Sequence, residues 1–173
     1  LIHWPANKVR YKNPSEVNAV AWQALEELYT EGRVKAIGVS NFLPHHIEEL
    51  KKSAKVLPMV NQIELHVGYM QEDVVEYNNN NGIITEGYSP LGTGALLENE
   101  ILREMAKKYQ TTVSNICISF LRQREIIPLP KTVSPDRMSS NLRLIRLEEE
   151  DMNLLYSLPY MGGHAHNPDE VDF

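Results

Sequence analysis

The sequence has 173 residues, 42% of them apolar, and a formal net charge of −6 at pH 7. This length and apolar content predict a single domain over 1–173 with one sizeable core and an irregular tail at 159–173, and they argue against fibrous or disordered protein. The acidic balance and the scattered Lys and Arg argue against nucleic acid or an anionic membrane surface as a partner.

Cysteine usage and hydropathy indicate the compartment. The single cysteine, Cys117, lies between Ile116 and Ile118, which predicts a buried thiol in a reducing environment. No apolar run approaches the roughly 20 residues that cross a bilayer, and no signal-like segment is apparent. We therefore expect a cytoplasmic protein with no membrane partner. The chain begins on Leu1 rather than Met, so we also expect it to be part of something longer.

Helix signals recur along the chain. Asn13-Pro14-Ser15-Glu16 resembles a capping box and predicts a helix that ends near Gly32. Its predicted apolar face consists of Val17, Ala21, Ala24, Leu25 and Leu28. Further helices are predicted from Pro44, at 72–80, at 99–109, at 112–123, at 134–142 and at 148–158.

Short apolar runs between these helices predict four strands, at 34–39, 59–65, 83–88 and 126–129. Strands that alternate with helices and are apolar on both faces indicate a parallel sheet covered by helices. An open doubly wound sheet and a (β/α)8 barrel both fit. Polar residues follow every strand, and a closed barrel brings all of these strand ends into one ring, which favours the barrel. These polar ends are His3-Trp4, Ser40-Asn41, Gln62 to His66, Tyr88-Ser89 and Lys131-Thr132.

Five motifs occur in the following order along the chain: LIHWP, EGRVKAIGVSNF, VNQIELH, GYSPLGTG and LPKTVSPDRMSSN. Together they resemble the aldo-keto reductases, from the end of the fourth barrel strand onward. The resemblance implies the C-terminal portion of a parallel (β/α)8 TIM barrel that reduces an aldehyde or ketone with NADPH. The family's tyrosine acid, lysine and aspartate belong to the first half, which is not matched here. The resemblance therefore implies that the isolated chain is inactive.

The resemblance assigns His3 as the catalytic histidine that orients the carbonyl and Trp4 as a substrate-pocket residue. A neutral imidazole offers one donor and one acceptor, and an indole offers an apolar wall with one donor. The alternative is a structural histidine packed beside a core tryptophan.

The resemblance also assigns a nicotinamide site. Ser40, Asn41 and Gln62 resemble the clamp on the carboxamide, a group that amide and hydroxyl side chains complement. Alternatively, Ser40 or Asn41 caps the next helix. Tyr88 resembles the tyrosine that stacks on the nicotinamide, and its alternative is a core aromatic at a strand end.

Further cofactor residues follow in the motifs. Ser89, Leu91 and Thr93 resemble the loop beside the pyrophosphate, where glycines at 92 and 94 let backbone amides approach an anion. Lys131 and Arg137 flank a predicted helix start and suit a 2′-phosphate, with Thr132 as an added donor. Asn141 resembles an adenine contact. Ser140 replaces a glutamate common in the family, which leaves NADPH only moderately favoured over NADH.

Other chemistries have less support. His45-His46 and His164-Ala165-His166 lack the i, i+4 spacing and the companion carboxylates of a metal site, so no metal is expected. No GxGxxG, P-loop or GxSxG motif occurs.

Two alternatives to a reductase stay open. One is a non-catalytic barrel fragment that binds a nucleotide or a partner, and that associates with its missing half or with itself through exposed sheet edges. The other is a (β/α)8 protein of another chemistry, such as a lyase or a channel-subunit-like relative.

Overall fold

Helices and strands alternate in the computed structural model, which describes residues 1–164 and 166–173. The strands are β1 (Gly38–Ser40), β2 (Val60–Glu64), β3 (Ile84–Tyr88) and β4 (Ile127–Leu129). The helices are α1 (Pro14–Thr30), α2 (Pro44–Lys51), α3 (Glu72–Asn80), α4 (Glu100–Lys108), α5 (Val113–Gln123), α6 (Pro135–Asn141) and α7 (Glu149–Ser157), and a 3-10 helix spans Gly92–Glu98. None of the described helices is both long and apolar enough to cross a membrane.

The strands form a parallel sheet in the order β1-β2-β3-β4. Ser40 lies opposite Gln62 where β1 pairs with β2, and Tyr88 lies opposite Leu129 where β3 pairs with β4. The predicted α/β fold with parallel strands is confirmed. Among these four strands the order follows the chain without a reversal, as in a barrel and unlike a doubly wound sheet.

The chain divides into two compact units. The first comprises Leu1–Ile63, Glu72–Thr85 and Ala165–Phe173, and the second comprises Glu64–Gln71 and Glu86–His164. The expectation of a single domain stays a prediction.

The first unit packs around an apolar cluster of Trp22, Ile37, Val39, Phe42, Ile47, Leu50 and Ile83. Helix α1 contributes Trp22 to this cluster, and its other buried residues are Asn18 and Glu26. The predicted apolar face is therefore wrong in part, because Val17, Ala21 and Ala24 are exposed.

Polar partners explain which face of α1 is buried. The Trp22 indole donates to the Val56 carbonyl at 2.9 Å. Glu26 Oε1 accepts from the backbone N–H groups of Lys55 and Val56 at 2.6 and 2.7 Å. A buried carboxylate is tolerated because it satisfies two donors that would otherwise lack partners.

The ends of two predicted elements differ from expectation. Helix α1 begins at Pro14 as predicted, but Asn13 makes no side-chain cap bond and instead donates through Nδ2 to Glu16 at 3.2 Å. Strand β1 is Gly38–Ser40, so it shares only Gly38 and Val39 with the predicted strand at 34–39, and Val34 is exposed.

Helix α5 lies at the centre of the second unit. Its residues 115–121 are all buried, Cys117 among them, which confirms the predicted buried thiol. Gly87 on β3 permits this packing, because a Cβ there would lie 3.1 Å from the Leu65 side chain and 3.3 Å from that of Ile126.

Candidate functional site

Three chain segments of the first unit end side by side. Ile2 forms a parallel bridge with Val39, and its carbonyl accepts from the Ser40 N–H at 2.7 Å. On the other side, the register of β1 with β2 places Ser40 opposite Gln62. His3 follows the bridging residue Ile2, Ser40 ends β1 and Gln62 lies on β2, so these three residues belong to neighbouring segments at one edge of the sheet.

Hydrogen bonds hold the side chains of Ser40 and Asn41 in place at this edge. The Ser40 hydroxyl donates to the Gln62 carbonyl at 2.7 Å. Asn41 Nδ2 donates to the His3 carbonyl at 3.0 Å and to Ser40 Oγ at 3.2 Å. Asn41 has a φ of 61°, a left-handed conformation that asparagine tolerates better than most residues. The side chains of Ser40 and Asn41 are thus buried in fixed positions rather than exposed on a mobile loop.

The helix-capping alternative for Ser40 and Asn41 is excluded by the start of α2. The N-cap of that helix is Leu43, whose N–H donates to His46 Nδ1 at 3.1 Å. The turn at Ser40-Asn41 therefore belongs to the strand edge.

His3 is exposed, and its ring centroid lies 6.2 Å from that of Trp4. Trp4 is half-buried and packs edge-on against His166 and Phe173, with ring centroids 6.1 and 5.4 Å apart. The tail residues 166–173 thus contact the predicted substrate residue. No pattern in the sequence predicts this contact, because an irregular tail has no periodicity from which to infer docking.

Tyr88 ends β3 in the second unit. Its carbonyl accepts from the Leu65 N–H at 3.2 Å, and its side chain is half-buried. Burial, with the Glu64 carboxylate as a smaller cause, raises the pKa of the Tyr88 phenol. The phenol therefore keeps its proton at pH 7, and the ring stays neutral.

The loop after Tyr88 contains consecutive left-handed residues. Thr93 and Gly94 have φ values of 55° and 103°. The N–H of Gly92 donates to the Ser89 carbonyl at 2.8 Å, and the N–H of Gly94 donates to the Leu91 carbonyl at 2.9 Å. These two amides are engaged within the loop, so the glycines here supply turn geometry rather than donors for an anion.

The second unit also holds two exposed cations. Ser134 Oγ accepts from the Arg137 N–H at 3.4 Å and caps α6, and Thr132 Oγ1 accepts from the Ser134 N–H at 3.2 Å. Lys131 and Arg137 are exposed. Neither cation has a carboxylate within 4.0 Å among residues 1–164 and 166–173. Asn141, the last residue of α6, is partly buried. The geometry leaves both cations available to an anion.

A buried acid and histidine on this unit were not singled out by sequence. Glu64 and His66 are 2% and 0% exposed, and His66 Nε2 lies 3.6 Å from Glu64 Oε1. The backbone N–H of His164 donates to both Glu64 oxygens at 2.9 and 3.1 Å. Gly163 permits this approach, since a Cβ there would lie 2.0 Å from Glu64 Oε1.

The first unit contains a second cluster of polar side chains. The sequence predicts no companion carboxylate for His45-His46, and that prediction is wrong: Asp169 Oδ1 lies 2.9 Å from His45 Nε2 and 3.0 Å from His46 Nε2. Burial, followed by the neighbouring His45, lowers the pKa of His46 to about 4. A neutral His46 with Nδ1 accepting from Leu43 carries its proton on Nε2, facing Asp169.

Comparison with known proteins places these observations in a family. The model of the aldo/keto reductase family matches residues 1–158. Glyoxal reductase of Bacillus subtilis (strain 168) is 39% identical over 175 residues, which cover 100% of this chain and 60% of that protein. The chain thus spans about three fifths of that relative's length.

Two solved structures are also similar to this chain. An aldo-keto reductase from a Medee basin deep-sea metagenome library, MGS-M4, is 38% identical with a TM-score of 0.89, over 99% of this chain and 62% of that one. A mutant of Gox0644 in complex with NADPH is 35% identical, with the same TM-score and the same coverage of both chains.

Proposed function

Because the chain belongs to the aldo/keto reductase family, we propose that it carries the cofactor-recognition part of an NADPH-dependent reductase of aldehydes or ketones. The observation that carries the proposal is the strand edge of the first unit, where Ser40 at the end of β1 lies opposite Gln62 on β2 and Asn41 comes directly after Ser40. Related proteins include a glyoxal reductase and a structure bound to NADPH. We assign the protein to the cytoplasm on its single buried cysteine alone.

In this proposal the strand edge recognises the nicotinamide carboxamide. The carboxamide has two donors and one acceptor. The Ser40 hydroxyl and Asn41 Nδ2 already donate within the edge, so in this proposal Asn41 Oδ1 and Ser40 Oγ accept from the carboxamide and the Gln62 side-chain amide donates to it. The fixed positions of Ser40 and Asn41 favour recognition, because little side-chain freedom is left to lose on binding. When bound at these residues, NADPH would supply the hydride that reduces a carbonyl carbon.

The family motifs suggest further cofactor contacts. In this proposal the Tyr88 ring stacks on the nicotinamide, and Ser89, Leu91 and Thr93 line the pyrophosphate. Lys131 and Arg137 bind the 2′-phosphate with Thr132 as an added donor, and Asn141 contacts adenine. The support for NADPH rather than NADH is that these two exposed cations have no carboxylate within 4.0 Å in the part of the chain that the structure describes.

The substrate side of the proposal rests on His3 and Trp4. His3 donates a hydrogen bond to the carbonyl oxygen and holds it in position, while the Trp4 indole forms an apolar wall. Proton donation to the product alkoxide is assigned to no residue of this chain, since none of its tyrosines matches the family's acid.

The cofactor assignment is tested by fluorescence titration of the chain with NADPH and with NADH. We expect weak binding of NADPH and weaker binding of NADH. Lys131→Ala with Arg137→Ala removes the preference, and Lys35→Ala with Arg33→Ala, two exposed cations elsewhere, leaves it unchanged. Equal binding of both cofactors by the unchanged chain contradicts the 2′-phosphate assignment.

A separate prediction follows because no tyrosine of this chain matches the family's acid. Purified 173-residue chain does not reduce a reactive aldehyde with NADPH, because no positioned acid protonates the alkoxide. NADPH oxidation at 340 nm, recorded with about 10 µM chain, checks this. Turnover that disappears in His3→Ala contradicts it, while NADPH binding without turnover matches the non-catalytic alternative for the isolated chain.

A further inference from the structure

Three side chains that the proposed reductase does not use converge in the first unit. His45 and His46 lie in the first turn of α2, and Asp169 belongs to the C-terminal tail, 123 residues after His46. Their facing atoms, two imidazole nitrogens and one carboxylate oxygen, all lie within 4.8 Å of one another.

The tail is held in place on both sides of Asp169. Asn7, which is 5% exposed, donates through Nδ2 to the carbonyls of Pro168 and Val171 at 3.2 and 2.7 Å. Val171 is buried. The Asp169 carboxylate is therefore presented to the histidines by ordered backbone, so most of the chain entropy that a site of this kind would cost is already lost in folding.

The distances suit a small divalent ion. In a tetrahedral site with metal–ligand bonds of about 2.0–2.1 Å, ligand atoms lie about 3.3 Å apart. The two N···O separations are 2.9 and 3.0 Å, so openings of about 0.4 and 0.3 Å would admit an ion. The two imidazole nitrogens lie within 4.8 Å of each other and would approach to about 3.3 Å around the ion. A cleft of about 540 Å³ beside the cluster leaves room for water as a fourth ligand.

We propose that His45, His46 and Asp169 form a binding site for a divalent transition-metal ion with N2O ligation, for which Zn²⁺ is the probe. Imidazole and carboxylate together suit Zn²⁺, Co²⁺ and Ni²⁺ rather than Mg²⁺ or Ca²⁺, which prefer oxygen ligands alone. The ion would join α2 to the C-terminal tail.

One contact opposes binding and limits the affinity. Nε2 of His46 binds the ion only in the tautomer with the ring proton on Nδ1, which ends the bond from the Leu43 N–H. Because the new Nδ1 proton then faces the Leu43 N–H, two donors oppose each other, and this change weakens binding by about ten- to a hundredfold. Charged neighbours in the cleft are Lys8 and Glu49, and Glu49 is paired with Lys52 at 2.5 Å.

The test is Zn²⁺ titration of the tag-free, metal-stripped chain by calorimetry, with Co²⁺ absorption in the visible as a second readout of coordination. We expect one ion per chain and a Co²⁺ spectrum typical of a four-coordinate site. His45→Gln and Asp169→Asn each weaken Zn²⁺ binding at least about tenfold. Both positions are exposed enough that the variants fold.

Matched controls separate the site from general surface binding. His164→Gln and Asp172→Asn replace residues of the same types in the same tail region, and we expect Zn²⁺ affinity within about twofold of the parent. No uptake at micromolar free Zn²⁺, or the same affinity in all variants, overturns the proposal. Loss in only one of His45→Gln and Asp169→Asn overturns the three-ligand assignment. Neither result bears on NADPH binding, so the proposed reductase function is tested separately.

Discussion

At the scale of single residues, Cys117 shows how burial controls chemistry. Its side chain is 0% exposed, and burial raises the pKa of the thiol to about 12. The thiolate is the reactive form, and at pH 8 it is present in roughly one molecule in ten thousand. We expect a thiol reagent at pH 8 to label the native chain about a thousandfold more slowly than the chain in denaturant. Rapid stoichiometric labelling with an unchanged circular dichroism spectrum would contradict this.

At Gly163 an added carbon would collide with two buried side chains. Its φ is +97°, and a Cβ there would meet Glu64 Oε1 at 2.0 Å and His66 Nε2 at 2.6 Å. We expect Gly163→Ala to cost about 1–3 kcal/mol locally and to speed hydrogen exchange of the His164 amide, which donates to Glu64. Native-state exchange measured by NMR checks this.

Gly82→Ala is the matched control for Gly163. Gly82 has a φ of +67° with no atom within 4 Å of the added Cβ. The substitution Gly82→Ala therefore has only the cost of placing alanine in a left-handed backbone conformation, about 1 kcal/mol. Equal effects of the two substitutions on the exchange of the His164 amide would show that the contact with Glu64 has no cost.

At the scale of elements, Glu26 ties α1 to the segment before β2. One carboxylate oxygen accepts from two backbone N–H groups, those of Lys55 and Val56. Glu26→Ala leaves both donors without this partner, and we expect a loss of about 2–4 kcal/mol in the free energy of unfolding. Glu27→Ala, at the exposed neighbouring position, changes it by less than about 0.5 kcal/mol. Urea denaturation of the two variants tests the difference, and similar midpoints would contradict it.

Most helices and strands lie within one residue of their predicted ends, and β1 is the exception. Helix α3 has the predicted bounds, and α5 and α7 differ from prediction by one residue at one or both ends, because caps and 3.6-residue periodicity are local signals. The apolar run at 34–39 predicted a strand of six residues, but β1 is only Gly38–Ser40. The bounds of a strand depend on partners distant in sequence.

For the candidate site, too, local features could be predicted from the sequence and contacts between distant residues could not. The sequence predicted which strand ends carry polar groups, and the pairing of Ser40 with Gln62 follows from parallel register. It missed Asp169 beside His45-His46, because a contact across more than a hundred residues has no local pattern. It also placed the buried face of α1 incorrectly, since nothing local shows that Glu26 has backbone partners.

At the scale of the whole molecule, the edge strand β4 leads to a prediction about assembly. Ile127 and Leu129 on β4 are 37% and 38% exposed, and exposed apolar residues on an edge strand favour pairing between chains. We expect the isolated chain to elute as a dimer or larger species on size exclusion with light scattering. Ile127→Lys with Leu129→Lys shifts it toward monomer. A monomer at about 100 µM without these substitutions would contradict the expectation.

The central claim is that the strand edge of the first unit recognises nicotinamide, and Gln62→Met tests it most directly. This substitution keeps the side-chain volume and the backbone carbonyl that accepts from Ser40. The measurement is a pair of calorimetric titrations, with NADPH and with a 2′-phosphorylated adenosine nucleotide that lacks nicotinamide. The account predicts that NADPH binding weakens about tenfold while binding of the shorter nucleotide is unchanged. Unchanged NADPH affinity, or equal losses for both ligands, would contradict it.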